Sequence, residues 1–179
     1  MTCNRLRSLA LVAGVLCAPS LTSAQDAKSA VLAGELATLL DAARLDSIAA
    51  RHGDSQDEFV GALYFPGSQL LVASGRFAAP ERASVLLGQK SYRDIYIDLN
   101  SAALPATRVF VSDLGANGLR FKRENNRPTD SADVGAKRYA FDGDWGKAKM
   151  SRDEYTRAWQ ATDEQYTKML QSLVAQLKK

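Results

Sequence analysis

The stretch that most constrains the fold is the last one. From Ser151 onward, Tyr155, Trp159, Thr162, Tyr166, Met169, Leu170, Leu173 and Leu177 recur at steps of three and four residues, the spacing that lines one face of an α-helix. Arg152, Asp153, Asp163, Glu164 and Lys168 are read as the opposite, polar face. Ser151 precedes Glu154 by three positions, so its hydroxyl and the carboxylate can satisfy the free N–H groups at the helix start, and Met150 is placed to staple Tyr155. Such a stripe must be buried against something. The mixed charge of the polar face, without a basic bias, points to a protein core rather than a lipid surface.

The surface it needs is supplied upstream. Val31, Leu32, Leu36, Leu39, Leu40 and Ala43 predict a first amphipathic helix from Ala27 to about Arg44. Two endings are open: it runs to Arg51 and stops at Gly53, or it breaks near Leu45 and "DSIAAR" becomes a short strand. "EFVGALYFPGSQLLVASGRF" reads as a hairpin around Pro66-Gly67, the pair that suits the centre of a type II turn, with a loop longer than two residues. Pro80 opens a short helix ending at Gly88. In "RDIYIDLN", Ile95, Ile97 and Leu99 face one way, and Tyr92, Asp94, Tyr96, Asp98 and Asn100 the other. A strand from Arg108 to Leu114 follows, closed by Gly115-Ala116-Asn117-Gly118. Arg123 to Asp133 reads as a polar loop, and "KRYAFDGDW" as a last strand turned by Asp142-Gly143. The fold class expected is α+β: a mostly antiparallel sheet of five or six strands, open or curled into a split β-barrel, flanked by N- and C-terminal helices.

The N-terminus changes how the composition is read. Arg5 and Arg7, the apolar run Leu9 to Ala18, and Thr22-Ser23-Ala24 have the order of a secretory leader cut after Ala24. Leu16 before Cys17 does not suit lipid attachment, and Leu6 between the arginines rules out a twin-arginine signal. The whole chain has 23 Lys and Arg against 20 Asp and Glu, but both leader charges are basic, so residues 25–179 carry a formal charge of about +1. That leaves nucleic acid without electrostatic support as a partner. Cys3 and Cys17, the two cysteines, fall in the leader too, so the single domain expected over 25–179 is held by packing alone. The location implied is periplasmic or secreted, with no membrane span.

His52 is the one histidine. With no cysteine after Cys17, the Ser-His-Asp, Cys-His and multi-Cys/His zinc chemistries are excluded except through this residue. Its place beside Gly53 suits a helix C-terminus or an outward loop. Asp142 and Asp144, with Asp130 and Asp133 near in sequence, lack the ladder and closing Glu of a calcium loop and read as turn formers. Asp94 and Asp98, two positions either side of Tyr96, are candidate ligand-binding carboxylates if a concavity surrounds them, and otherwise pair with arginines of neighbouring strands.

Over Leu45 to Leu114 the order helix, hairpin, short helix, strand, strand resembles the FMN-binding split-barrel proteins, the pyridoxamine-phosphate-oxidase-like class. In "LLVASGRFAAPERASVLL" that resemblance implies Ser74, Arg76 and Arg82 as contacts to a flavin phosphate. It further implies Arg93 beside them and Tyr96 against the ring, with FMN as the cofactor. Two functions are therefore expected. The first is an exported, non-catalytic protein binding a small molecule or an envelope protein. The second is an FMN-dependent split-barrel oxidoreductase or a flavin-free relative of one. An uncovered strand edge or the tyrosine-bearing face also offers a homodimer contact.

Overall fold

The computed structural model describes residues 27–76, 109–123 and 129–179. Along them the chain forms α1 (Ser29–Ala43), β1 (Ser47–Arg51), β2 (Glu58–Phe65), β3 (Gln69–Arg76), β4 (Val109–Leu114), β5 (Ser131–Val134), β6 (Lys137–Ala140) and α2 (Arg152–Leu177). The short helix from Pro80 and the Ile95 strand fall outside the described residues. So do Arg82, Arg93, Asp94, Tyr96 and Asp98. No helix among the described residues is long and apolar enough to cross a membrane.

The first helix ends at the earlier of its two expected stops. Arg44 takes the left-handed conformation at φ 54° and turns its N–H back to the last carbonyls of α1. The chain then enters β1, paired antiparallel with β2 from Ser47↔Leu63 to Arg51↔Phe59. The Pro66-Gly67 hairpin forms as expected: Phe65 pairs with Gln69, the Ser68 N–H donates to the Phe65 carbonyl at 2.9 Å, and Gly67 supplies the positive φ of 70° that the turn requires.

All six strands form one antiparallel sheet in the order β1-β2-β3-β4-β5-β6, as α+β with flanking helices predicts. The curl into a split barrel is not found. Among the described residues β1 and β6 are the two edges and do not pair with each other. The β5 and β6 strands have four residues each, too few to wrap round, and Gly143 at φ 80° turns the chain away after Phe141. The Arg123–Asp133 segment is not wholly a loop either, since Ser131–Val134 forms β5 with Ala132 inward against Val111. The last strand stops at Ala140, short of Trp145.

Pairing register sorts the side chains. Ala62, Val72, Val111 and Ala132 lie in one row across the sheet. With Val60, Tyr64, Leu70 and Val109 they meet Ala33, Leu36 and Leu40 of α1 and the α2 stripe in one core. The opposite face is apolar as well: Leu63, Leu71, Ala73 and Phe110 are 2–6 % exposed. This explains why β2 and β3 read as almost continuous apolar runs rather than alternating ones.

The second helix matches its reading closely. Ser151 Oγ accepts the Glu154 N–H at 3.2 Å while the Glu154 carboxylate accepts the Ser151 N–H at 2.8 Å. Tyr155, Trp159, Thr162, Tyr166, Met169, Leu170 and Leu173 are buried, and Leu177 packs partly buried at the end of the stripe. One expectation fails. Asp163, placed on the polar face, is 3 % exposed, because it is drawn inward by the start of α1.

Candidate functional site

Three buried aspartates gather where the sheet meets the helices. Asp163 on α2 accepts the Lys28 N–H at 2.7 Å, the Ser29 N–H at 3.3 Å and the Ser29 hydroxyl at 2.5 Å. It thereby caps α1, whose own flanking residue Lys28 makes no side-chain cap. The Ser29 hydroxyl in turn accepts the Leu119 N–H at 3.1 Å. Gly118 packs so tightly there that a Cβ would stand 2.6 Å from the Ala30 backbone.

The other two acids hold the segment after β4. Asp113 lies opposite Leu70 on the helix-facing side of the sheet. Its carboxylate accepts the Asn117 N–H at 3.1 Å, the Gly118 N–H at 2.8 Å and the Tyr166 hydroxyl at 3.0 Å. Asp130 brackets the same segment, accepting the Leu114 N–H at 2.8 Å and the Arg120 N–H at 2.9 Å. The Arg120 guanidinium stands 3.6 Å from it and donates to the Leu114 carbonyl at 2.5 Å.

Burial pushes the Asp113 carboxyl above its usual range, against the opposing pull of the N–H groups, Tyr166 and Arg120. Asp130 is pushed up to about 6, chiefly by burial and further by the negative charge of Asp113. Tyr166 is held well above the usual phenol range by burial and by Asp113. These groups bind backbone rather than face a substrate: the Asp130 side chain is 1 % exposed and both its oxygens are engaged.

A second constellation lies at the β6 end of the sheet and does reach the surface. Phe121 meets Tyr155 and Trp159 edge-on at 5.3 and 5.4 Å between ring centres. Phe141 meets Tyr155 at 5.9 Å and stacks with Tyr139 at 6.3 Å. Trp145, 37 % exposed, extends the series outward with its ring 6.5 Å from that of Tyr155.

The turn that carries Trp145 is fixed by its own polar groups. Asp142 accepts the Asp144 N–H at 3.0 Å, and Asp144 accepts the Lys147 N–H at 2.8 Å, as turn-forming aspartates should. The Met150 N–H donates to the Trp145 carbonyl at 2.9 Å, and the Gly143 N–H donates to the Tyr155 hydroxyl at 2.9 Å. The Arg152 guanidinium lies 5.5 Å over the Trp145 ring. Lys147 and Lys149 in the same turn and Lys122 beside Gly143 are exposed, and Lys147 pairs with Asp142 at 3.2 Å. Deeper in, Trp159 is 4 % exposed and its indole N–H finds no acceptor among the described residues.

Of the residues singled out from sequence, two lie in the described part. Ser74 is 4 % exposed, in register with Val60 and Val109 on the core face. Arg76 is exposed at the end of β3, paired with Glu58. The two share a sheet face, one sealed and the other at the rim. His52 corrects the expectation of a helix end or an outward loop. It follows β1, is 9 % exposed, and has Nδ1 2.9 Å from the Ser172 hydroxyl of α2. Burial lowers its pKa, Glu58 opposes this and Lys168 adds to it.

Among the described residues no group of three or more His, Cys, Asp or Glu side chains is placed to hold a metal ion. The aromatic end was missed in sequence because its members come from β6, a turn, α2 and the segment after β4, and only the "YAFDGDW" spacing hinted at it. No family model matches the chain, and neither the curated proteins nor the solved structures contain a match to it.

Proposed function

We propose that this is an exported, non-catalytic binding protein, and that the aromatic end around Trp145 takes a ligand carrying a flat apolar face and an anionic group. The observation that carries the reading is Trp145 itself. A large indole is held more than a third exposed on a turn fixed by its own hydrogen bonds, backed by Tyr155 and overlain by Arg152. Exposing an indole forgoes the stabilisation its burial would bring, and aromatic residues with arginine are the types enriched where proteins bind. Lys122, Lys149 and Arg152 favour an anion at the rim, while the ring offers the apolar contact. Export is the part of the reading that the leader supports.

The test is a titration of tryptophan fluorescence with oligogalacturonate and with its neutral methyl ester. The expected result is a saturable change with the acidic oligomer, weakened in about 0.5 M salt as screening requires, and about tenfold weaker binding for Trp145→Ala. Equal response to the acidic and neutral oligomers, or none to either, overturns the reading. Stoichiometric uptake of FMN with a yellow chromophore would replace it by the flavin reading, for which Ser74 and Arg76 are the described candidates.

A further inference from the structure

Two dipeptides in the chain are chemically weak for the same reason. Asn117-Gly118 and Asp142-Gly143 are its one Asn-Gly and its one Asp-Gly pair. In both, a side-chain carbonyl carbon stands next to a backbone nitrogen that no following side chain shields, so that nitrogen can close a five-membered imide on it. The fold needs both glycines all the same. Gly118 and Gly143 have φ of 85° and 80°, and a Cβ would stand 2.6 Å from the Ala30 backbone at the first and 2.8 Å from Lys122 Cβ at the second. Neither glycine nitrogen is free to react. The Gly118 N–H donates to Asp113 Oδ2 at 2.8 Å and the Gly143 N–H to the Tyr155 hydroxyl at 2.9 Å. We propose that Asn117-Gly118 is a latent deamidation site, kept shut by the hydrogen bond from the Gly118 N–H to Asp113 and available only when the segment after β4 leaves its seat.

The reaction needs nothing but water. The Gly118 nitrogen gives its proton to solvent and bonds to Asn117 Cγ, the bond from Cγ to the carboxamide nitrogen breaks, and ammonia leaves. Water then opens the ring at either carbonyl and leaves aspartate or an isoaspartyl linkage at position 117. Solvent is at hand, since Asn117 is exposed. Access to the nitrogen is what the fold withholds. Ring closure requires the peptide plane between residues 117 and 118 to turn until its nitrogen faces Cγ, and that plane is held along its length. The Asn117 N–H before it is bound by the other oxygen of Asp113 at 3.1 Å, and the Leu119 N–H after it by Ser29 Oγ at 3.1 Å. The Asn117 carboxamide lies back over Gly115, its Nδ2 3.1 Å from where a Cβ would stand. Turning the plane therefore breaks a buried hydrogen bond to a carboxylate and forces Gly118 against Ala30. At the second pair the carboxylate itself is occupied, by the Asp144 N–H and by Lys147, and an ionised carboxylate resists attack better than a carboxamide. Asn117 is thus the weaker site once both nitrogens are released. The change is also one-way: an isoaspartyl linkage adds a methylene to the main chain where packing against Ala30 leaves no room even for a Cβ, so the modified segment does not regain its seat.

The experiment ages the full chain in mildly alkaline buffer, native and in urea, and maps its peptides by mass spectrometry for aspartate and isoaspartate at 117 and at 142. In urea the product at 117 is expected to form first. In native buffer it should form at least about tenfold more slowly, in step with the local opening that exposes the Gly118 amide to hydrogen exchange. Asp113→Asn keeps the side chain's size but trades one acceptor oxygen for an NH2 group. In the folded variant, checked by circular dichroism, the product at 117 should appear several-fold sooner than in the wild type while 142, the reference in the same molecule, is unchanged. Equal ageing at 117 in the native and the unfolded wild type overturns the proposal, and that comparison needs no variant to fold. So does a folded Asp113→Asn chain whose two sites age as the wild type's do, or quicken equally. No ligand enters the measurement, so its outcome is independent of the reading given to the aromatic end.

Discussion

Two connections lie side by side at the same end of the sheet, tied where the Gly115 N–H donates to the Ser68 carbonyl at 2.8 Å, and they are built in opposite ways. The β2–β3 turn is self-sufficient: proline fixes one torsion, Gly67 accepts the positive one, and Ser68 closes the hydrogen bond to Phe65 within four residues. The segment after β4 is not. Its N–H groups are satisfied by carboxylates from Asp113 and, across the gap to β5, from Asp130. One of those carboxylates is shared with a phenol on α2, 53 residues from Asp113. The first turn is a local decision of the backbone. The second is a tertiary one, and its stability depends on the packing of the whole domain and on pH.

The sharpest way to break this contrast is Asp113→Ala. Three donors, the buried Tyr166 Oη and Gly118 N–H and the part-buried Asn117 N–H, lose their acceptor together, so a loss of about 4 kcal/mol is expected in urea unfolding. A loss under about 1 kcal/mol would show that water replaces the carboxylate easily and that the segment is no tertiary hub.

The pH dependence comes next in size. Asp130 has a folded pKa of about 6 against an ordinary 3.8, so its favourable contribution is fully present below about pH 4 and is lost as pH climbs through 6. The difference is about 3 kcal/mol by linkage. His52 acts in the other direction: its lowered pKa gives a contribution present above 6.5 and lost as pH falls. Chemical unfolding at pH 5 and pH 7.5 should therefore show the protein more stable at pH 5, with the difference enlarged in His52→Gln.

Asp163→Ala should cost about 2 kcal/mol, since it removes a helix cap and strands the Ser29 hydroxyl. Loss of α1 amide protection before that of the sheet is the accompanying sign. Smallest is Gly67→Ala at about 1 kcal/mol. A Cβ there meets nothing within 4 Å, so only the positive φ resists it. If Gly67→Ala proved as damaging as Asp113→Ala, the distinction between the two connections would collapse.

The same distinction explains what could be read in the sequence. Pro66-Gly67, the Ser151/Glu154 cap and the α2 stripe all act over a few residues, and each appears where the sequence places it. The end of α1 was ambiguous because Arg44 adopts the left-handed cap without the glycine that usually marks one. The β5 strand is hidden because "SADV" has only Ala132 and the half-buried Val134 to turn inward and sits in a polar run. Asp163 was assigned to solvent because an isolated aspartate on a helix is ordinarily exposed; its partner is the start of another helix, which no local pattern names. The aromatic end suffered the same fate. Its rings are far apart in sequence, and only the register of β6 and the turn after it bring them together. Ser74 is a case the sequence reads by resemblance alone, as a phosphate contact; strand alternation sets it beside Val60 and Val109 on the core side.

The cap that Asp163 places on α1 also orders events in time. The Ser29 N–H finds its acceptor 134 residues downstream, and the apolar side of α1 is clad by α2. Made N-terminus first, the chain thus carries α1 uncapped and half-clad until α2 has followed it, so the docking of the two helices waits on the later one.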